Sequence, residues 1–258
     1  MCLAVVALGA HPIFSLVVAA NRDEFHARPA APARWGDDPP FTGILAGRDL
    51  LAGGTWLGVR RDARWALLTN IREGGTFDPD APSRGHLVLA ALDNPETITG
   101  RLSASDAEGP SYNGFNLLAG DAGHASWVSN RAQRPRSLGN GVHGVSNALL
   151  DTPWPKLSRA KESLAAWAAR GEESLSPLFD ALADRTPAPD HALPTTGVPL
   201  EWERLLSPPF IVSERYGTRC STVLAVGRSG RAQFIERTFD AQGAAAGEVR
   251  FEFDVEDG

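Results

Sequence analysis

Apolar positions in the first twenty residues fall into two runs, 3–8 and 13–20, separated by Gly9, Ala10, His11 and Pro12. Neither run alternates with polar residues, so the pattern predicts a hairpin of two strands covered on both faces. The hairpin rhythm recurs. Residues 54–59 with 65–70, 114–119 with 125–130, and 221–226 with 232–238 each flank a short polar or Gly-containing turn, and 249–255 adds a last alternating strand. Between these pairs the spacing becomes helical. Residues 83–92 begin on a capping Ser, and 155–170 carry Leu157, Ala160, Leu164, Trp167 and Ala168 on one stripe between Pro155 and Gly171. A third helix is predicted over 174–183, followed by an exposed loop rich in Pro, Thr and Asp over 184–199. Runs of paired strands with grouped helices predict an α+β layered fold with mostly antiparallel sheets, in a single domain over 1–258.

Composition removes several classes. The 258 residues are 43% hydrophobic and 22% charged, which is globular rather than disordered. With 25 basic against 31 acidic residues the net charge is -6, and no window concentrates Lys or Arg, so nucleic acid is not an expected partner. Residues 3–20 carry no formal charge and resemble the apolar part of a secretion signal. They lack a basic leader and are broken at Gly9 to Pro12, so no membrane span is expected. Two cysteines, Cys2 and Cys220, and the lack of any Asn-X-Ser/Thr sequon point to a reducing, cytoplasmic compartment. Neither cysteine sits in a C-x-x-C and no H-x-x-x-H pair occurs, so no metal or cofactor is expected. The G-x-G-x-x-G match at 139–144 has no strand before it and Pro153 and Pro155 after it, and reads as a turn. Ser146 lacks the second glycine and the helix of a nucleophile elbow.

Cys2 carries the distinctive chemistry. Removal of Met1 would leave one residue holding both a thiol and a free α-amino group, a nucleophile beside its own base. The amine's ordinary pKa of about 7.7 to 8.0 lets it take the thiol proton near neutrality. Asn21-Arg22-Asp23-Glu24 directly follows the second strand, reads as a polar turn, and returns an arginine and two carboxylates toward the level of Cys2. An arginine beside a thiol favours the thiolate. Cys220, by contrast, reads as a small core residue starting a strand.

These residues belong to a wider set of signatures. Met1-Cys2, Asn21 to Glu24, Gly54-Thr-Trp-Leu-Gly58, Leu68-Thr-Asn70, Tyr112-Asn-Gly-Phe-Asn-Leu117, His143-Gly-Val-Ser-Asn147, Asp151-Thr-Pro-Trp-Pro-Lys156 and Tyr216-Gly-Thr-Arg219 resemble the NRDE family, also called the transport and Golgi organisation protein 2 family. That family is similar to N-terminal nucleophile hydrolases, including the choloylglycine hydrolase and penicillin V acylase group. The resemblance implies a four-layer αββα sandwich with catalytic positions at Cys2, Arg22, Asp23, Asn70, Asn147 and Arg219, and with Asn21, Glu24 and Asn116 as substrate contacts. Asn70 and Asn147 would donate to an oxyanion. Arg22 and Asp23 are adjacent here, whereas the acylases separate the equivalent pair by two residues, so either Asp23 or Glu24 fills the acidic position. The implied activity is hydrolysis or acyl transfer on a non-peptide amide, ester or thioester. The alternative is a non-catalytic carrier or trafficking factor for an acyl lipid or haem, so the implied partner is a small molecule or hydrophobic ligand.

Overall fold

Strand β1 (Leu3–Leu8) is buried on both sides: Ala4, Val6 and Leu8 enter one apolar cluster while Leu3, Val5 and Ala7 enter another. That double burial places it inside a layered stack. In the computed structural model, which describes residues 3–75, 77–93 and 112–256, the strands form two antiparallel sheets. The first has the order β10-β1-β2-β11-β12-β13, where β2 is Phe14–Phe25, β10 Gly141–Val145, β11 Tyr216–Gly227, β12 Arg231–Phe239 and β13 Ala245–Asp254. The second runs from β3 (Ala30–Trp35) through β4 (Ile44–Asp49), β5 (Leu57–Arg60), β6 (Trp65–Asn70), β7 (Phe115–Gly120) and β8 (Ala125–Ser129) to β9 (Arg136–Leu138), in chain order.

Three apolar clusters separate four layers. One lies between the sheets and joins Val6, Val18 and Leu224 to Leu45, Leu67 and Leu118. A second packs the outer face of the six-stranded sheet on α2 (Pro155–Arg170) and α3 (Ser176–Leu182) through Leu157, Leu164, Trp167 and Phe179. The third packs the seven-stranded sheet on α1 (Gly85–Asp93) through Val88 and Leu92. The result is the αββα sandwich that the family resemblance implies. Helix α2 matches its predicted span and ends on Gly171 in the left-handed conformation.

Two sequence expectations need correction. Asn21 to Glu24 do not form a turn: β2 runs through them to Phe25, because each finds cross-strand or side-chain partners on β11 or beyond. Residues 141–145 are likewise not a turn but strand β10, paired with β1 from Ala4↔Val145 to Leu8↔Gly141. Gly144 belongs there sterically, since a Cβ would lie 2.6 Å from Leu157 Cδ1 of α2. Strands β3, β4 and β9 and the short helix α4 (Leu200–Leu205) lie outside the segments the pattern predicts. Among the described residues no helix is long and apolar enough to cross a membrane.

Candidate functional site

The site grows from the register of three strands. Leu3 of β1 pairs with Asn21 of β2, and Arg22 pairs with Cys220 of β11. Asp23 faces Thr218, so Arg219 is the extra residue of a bulge. Without that bulge Thr218 and Cys220 would share a face. With it, Thr218 joins Asp23 on the helix side of the sheet, while Cys220 and Arg22 face the space between the sheets.

Arg22 is 3% exposed and lies over the indole of Trp56, its guanidinium carbon 4.4 Å from the ring centroid. Trp56 precedes β5 and reaches this position because Gly47 of β4 has no side chain; a Cβ there would be 2.3 Å from Trp56 Cζ2. Arg22 Nη1 and Trp56 Nε1 are both buried without a hydrogen-bond partner among the described residues. Buried donors are ordinarily satisfied, so two orphans on one stacked pair mark a place built for an acceptor.

A cavity lies on each side of this pair. The smaller, about 200 Å³, is lined by Arg22, Trp56, Arg219, Cys220 and Glu236. Glu236 is 1% exposed; its carboxylate accepts from the Ala33 N–H at 2.8 Å and the Thr222 hydroxyl at 3.2 Å, and burial pushes its pKa up. Burial, reinforced by Glu236, also pushes the Cys220 thiol well above its ordinary range, which leaves it a poor nucleophile. Arg219 Nη1 donates to the carbonyls of Phe25, His26 and Arg28. Burial and the charge of Arg22 lower its pKa.

The larger cavity, about 350 Å³, has a polar floor of Arg22, Glu24, Thr55 and Asn70 and an apolar rim at Leu51 and Phe77. Arg28, hydrogen-bonded to Asp49 at 2.8 Å, and Arg84 complete its cationic side.

The structure thus brings Arg22, Glu24, Asn70 and Arg219 to the two cavities, and Cys2 lies outside the described residues. Asp23 is on the other face, its Oδ1 accepting from the Thr218 hydroxyl at 2.7 Å. Asn147 lies beside Asn70 and its Nδ2 donates to the Asn70 carbonyl at 3.1 Å, so it braces the end of β6. Asn21 and Asn116 are fully buried with their amides engaged internally. Asn21 donates to the carbonyls of Leu182 and Pro209 and accepts from Ser221 Oγ; Asn116 donates to Thr69 Oγ1 and the Ala148 carbonyl and accepts from Trp127 Nε1. Both hold strands together. Trp56 and Glu236 escaped the sequence reading. Trp56 stood inside a quoted motif, but nothing in Glu236's neighbours singles it out.

Comparison with known proteins gives this geometry a context. Residues 1–241 match the family model described as Transport and Golgi organisation 2. The chain is 36% identical over 262 residues to the Transport and Golgi organization protein 2 homolog of Bos taurus, covering 92% of this chain and 93% of that protein. It is 33% identical over 280 residues to the Homo sapiens homolog, covering 99% and 100%. Among solved structures it is similar to the C2A mutant of conjugated bile acid hydrolase from Clostridium perfringens, with TM-score 0.53, 10% identity, and coverage of 98% of this chain and 92% of that one. A Caenorhabditis elegans N-acylethanolamine-hydrolyzing acid amidase ortholog matches with TM-score 0.50, 14% identity, and coverage of 86% and 92%. These two likenesses concern the fold, which is that of the N-terminal nucleophile hydrolases.

Proposed function

The chain belongs to the Transport and Golgi organisation 2 family, and from that premise we propose that it is an N-terminal cysteine hydrolase or acyltransferase acting on a non-peptide amide, ester or thioester. In this reading loss of Met1 frees the α-amino group of Cys2. The amine takes the thiol proton, and sulfur attacks the acyl carbonyl. The side-chain N–H of Asn70, at the floor of the larger cavity, donates to the resulting oxyanion. Collapse breaks the bond to the leaving amine, alcohol or thiol, which departs with the proton held by the α-amino group. Water or an acceptor amine then attacks the thioester, loses its proton to the same base, and returns the free thiol.

One observation carries the reading. A buried arginine with no ion-pair partner among the described residues stands where two cavities meet, one strand position from the residue opposite Leu3. A charge in such a place is costly unless it serves a ligand or a neighbouring anion. Asn147 supports Asn70, and of the two acids that share the larger cavity with Arg22, Asp49 is engaged by Arg28 while Glu24 stands next but one to Arg22 on its strand. The two rival nucleophiles are poorly placed: Ser146 is buried in the core and Cys220 is held protonated.

The test is the intact mass of the purified protein before and after incubation with a fatty-acyl thioester and an N-acyl amide. The expected product lacks Met1 and gains one acyl group, and Cys2→Ala gains none. Retention of Met1, or stoichiometric ligand binding without any adduct, would replace catalysis by the carrier role for an acyl lipid or haem.

A further inference from the structure

The smaller cavity holds an unbalanced charge that acyl chemistry alone does not require. Arg22 and Arg219 both line it, and neither makes an ion pair among the described residues. Their charges oppose each other, as the lowered pKa of Arg219 reflects after burial itself. Among the described residues the buried Arg22 Nη1 has no acceptor, and neither has the indole N–H of Trp56 on the same wall. The lining contains one acid, Glu236, and both its oxygens already accept from Ala33 and Thr222. Elsewhere this chain neutralises its arginines readily: Arg28 with Asp49, Arg72 with Glu203 and Arg131 with Glu73. Arg134, Arg136, Arg185, Arg215 and Arg228 also make no ion pair among the described residues, but they are exposed, so two sheltered guanidiniums without one on a single cavity set this space apart.

We propose that this cavity is a carboxylate-binding subsite, and that the substrate is an acyl compound bearing a free carboxylate. The inference rests on the hydrolase reading for the word substrate, but the subsite itself does not. A guanidinium fork matches the two oxygens of a carboxylate, and a second cation with an indole N–H completes the donor set. A volume of about 200 Å³ admits the anionic end of a small molecule but not a long chain. The larger cavity, with its exposed Leu51 and Phe77 rim, is the one suited to the apolar part. Arg219 is tied to three backbone carbonyls through one nitrogen, which fixes the position of its charge before ligand arrives.

The experiment measures binding without turnover. Cys2→Ala protein is titrated calorimetrically with N-hexanoylglycine and with its neutral methylamide. The carboxylate should bind about tenfold tighter, since charge-assisted hydrogen bonds are the stronger kind. Arg219→Gln should erase the difference. Because Arg219 also holds the chain at Phe25 to Arg28, a second variant tests the cavity from the opposite wall: Ala31→Glu supplies an internal carboxylate and should likewise erase the preference while the methylamide still binds. Equal binding of the two ligands by the Cys2→Ala parent overturns the subsite, as does a preference that survives both substitutions. Carboxylate selectivity in Cys2→Ala without any acyl adduct in the wild type would keep the subsite and remove the hydrolase. An adduct without selectivity would do the reverse.

Discussion

Arg22 and Asp23 are adjacent in the chain and back to back in the fold. The Arg22 guanidinium lies over Trp56 between the sheets, while Asp23 Oδ1 accepts from the Thr218 hydroxyl on the helix side. Strand alternation makes this unavoidable once β2 continues through both residues. Of the two acids that follow Arg22 in the chain, Glu24 is consequently the one that shares a cavity with it, and Asp23 lies behind the sheet.

Thr218 is the hinge of that arrangement, because its hydroxyl donates to Asp23 and accepts from the Ile211 N–H at 2.9 Å. Thr218→Val should leave a buried N–H and a buried carboxylate oxygen short of partners, at a cost of about 1–3 kcal/mol. Thr218→Ser should retain most of the stability. Urea unfolding of the three proteins checks this, and equal midpoints would show that the hydroxyl is dispensable.

Gly47→Ala should disturb the site from the neighbouring sheet. The new Cβ would fall 2.3 Å from Cζ2 and 2.6 Å from Cη2 of Trp56, both backed by a packed core. Overpacking of this kind costs roughly 1–3 kcal/mol and would move the indole under Arg22. A lower Tm together with slower acyl capture is expected, whereas Gly123→Ala, where the nearest atom is a side-chain oxygen at 3.6 Å, should change neither.

What the sequence revealed followed from strong local signals. Residues 3–8 and 155–170 were legible because an unbroken apolar run and a capped amphipathic stripe leave one solution each. Strand β10 was obscured because Gly141 and Gly144 suggest flexibility, although Gly144 is required by the close approach of Leu157. Asn21 and Asn116 looked like ligand contacts because polarity within a motif is visible and burial is not; their amides tie strands to distant carbonyls. Glu236 and the pairing of Arg22 with Trp56 depend on contacts across the two sheets, which no local pattern encodes. The family signatures picked out segments that line the two cavities but not which face each side chain would take.

Glu203→Gln should be among the most damaging substitutions remote from the proposed nucleophile. Glu203 Oε2 accepts from Arg72 Nη1 at 2.5 Å with both side chains nearly buried, and its other oxygen accepts from the Thr196 N–H and hydroxyl. Arg72 also reaches Asn147 Oδ1 at 3.4 Å and stacks on Trp154. Neutralising one partner leaves the other charge buried, a cost of about 3–5 kcal/mol. The Arg72→Met, Glu203→Leu double variant should recover part of that loss in thermal unfolding. A Glu203→Gln protein as stable as wild type would mean the pair is solvated.

Asp151 should give the fold an acid limit. It occupies the left-handed region at φ 58°, and its carboxylate accepts from Lys161 Nζ at 2.6 Å and the Gly144 N–H at 2.9 Å, with His143 Nδ1 at 3.3 Å. Burial opposes ionisation, but Lys161, Gly144 and His143 outweigh it and hold the pKa below the ordinary 3.8. A carboxyl group with a depressed folded pKa adds stability above its unfolded pKa and loses it as pH falls through the folded value. The contribution should therefore be complete at neutral pH, begin to fall as pH approaches 3.8 and vanish only below the lower folded value. Asp151→Asn keeps a residue tolerant of positive φ, so it should lower Tm at pH 7 and converge with wild type in acid. Parallel Tm-against-pH curves would rule out this assignment.

The charge of Arg22 should also be readable in the reactivity of Cys2. A free thiol titrates near pH 8.5, and a cation held beside it in a partly desolvated site lowers that value. Arg22 can exert this effect because its charge is not consumed by an ion pair among the described residues, and Trp56 stacking fixes it in place. Alkylation rates against pH, measured in a Cys220→Ser background, should give a midpoint below 8.5. Arg22→Gln should raise it by about one unit, and Arg22→Lys should fall between because it restores charge without the planar fork. Even where it is retained, Cys220 is not expected to report, since it is buried and its thiol is pushed up; Cys2→Ala protein with Cys220 in place that still labels at neutral pH would show otherwise. An identical midpoint in wild type and Arg22→Gln would show that Arg22 does not tune the nucleophile. Its unmatched Nη1 would then serve the ligand alone, and thiol activation would rest on the α-amino group.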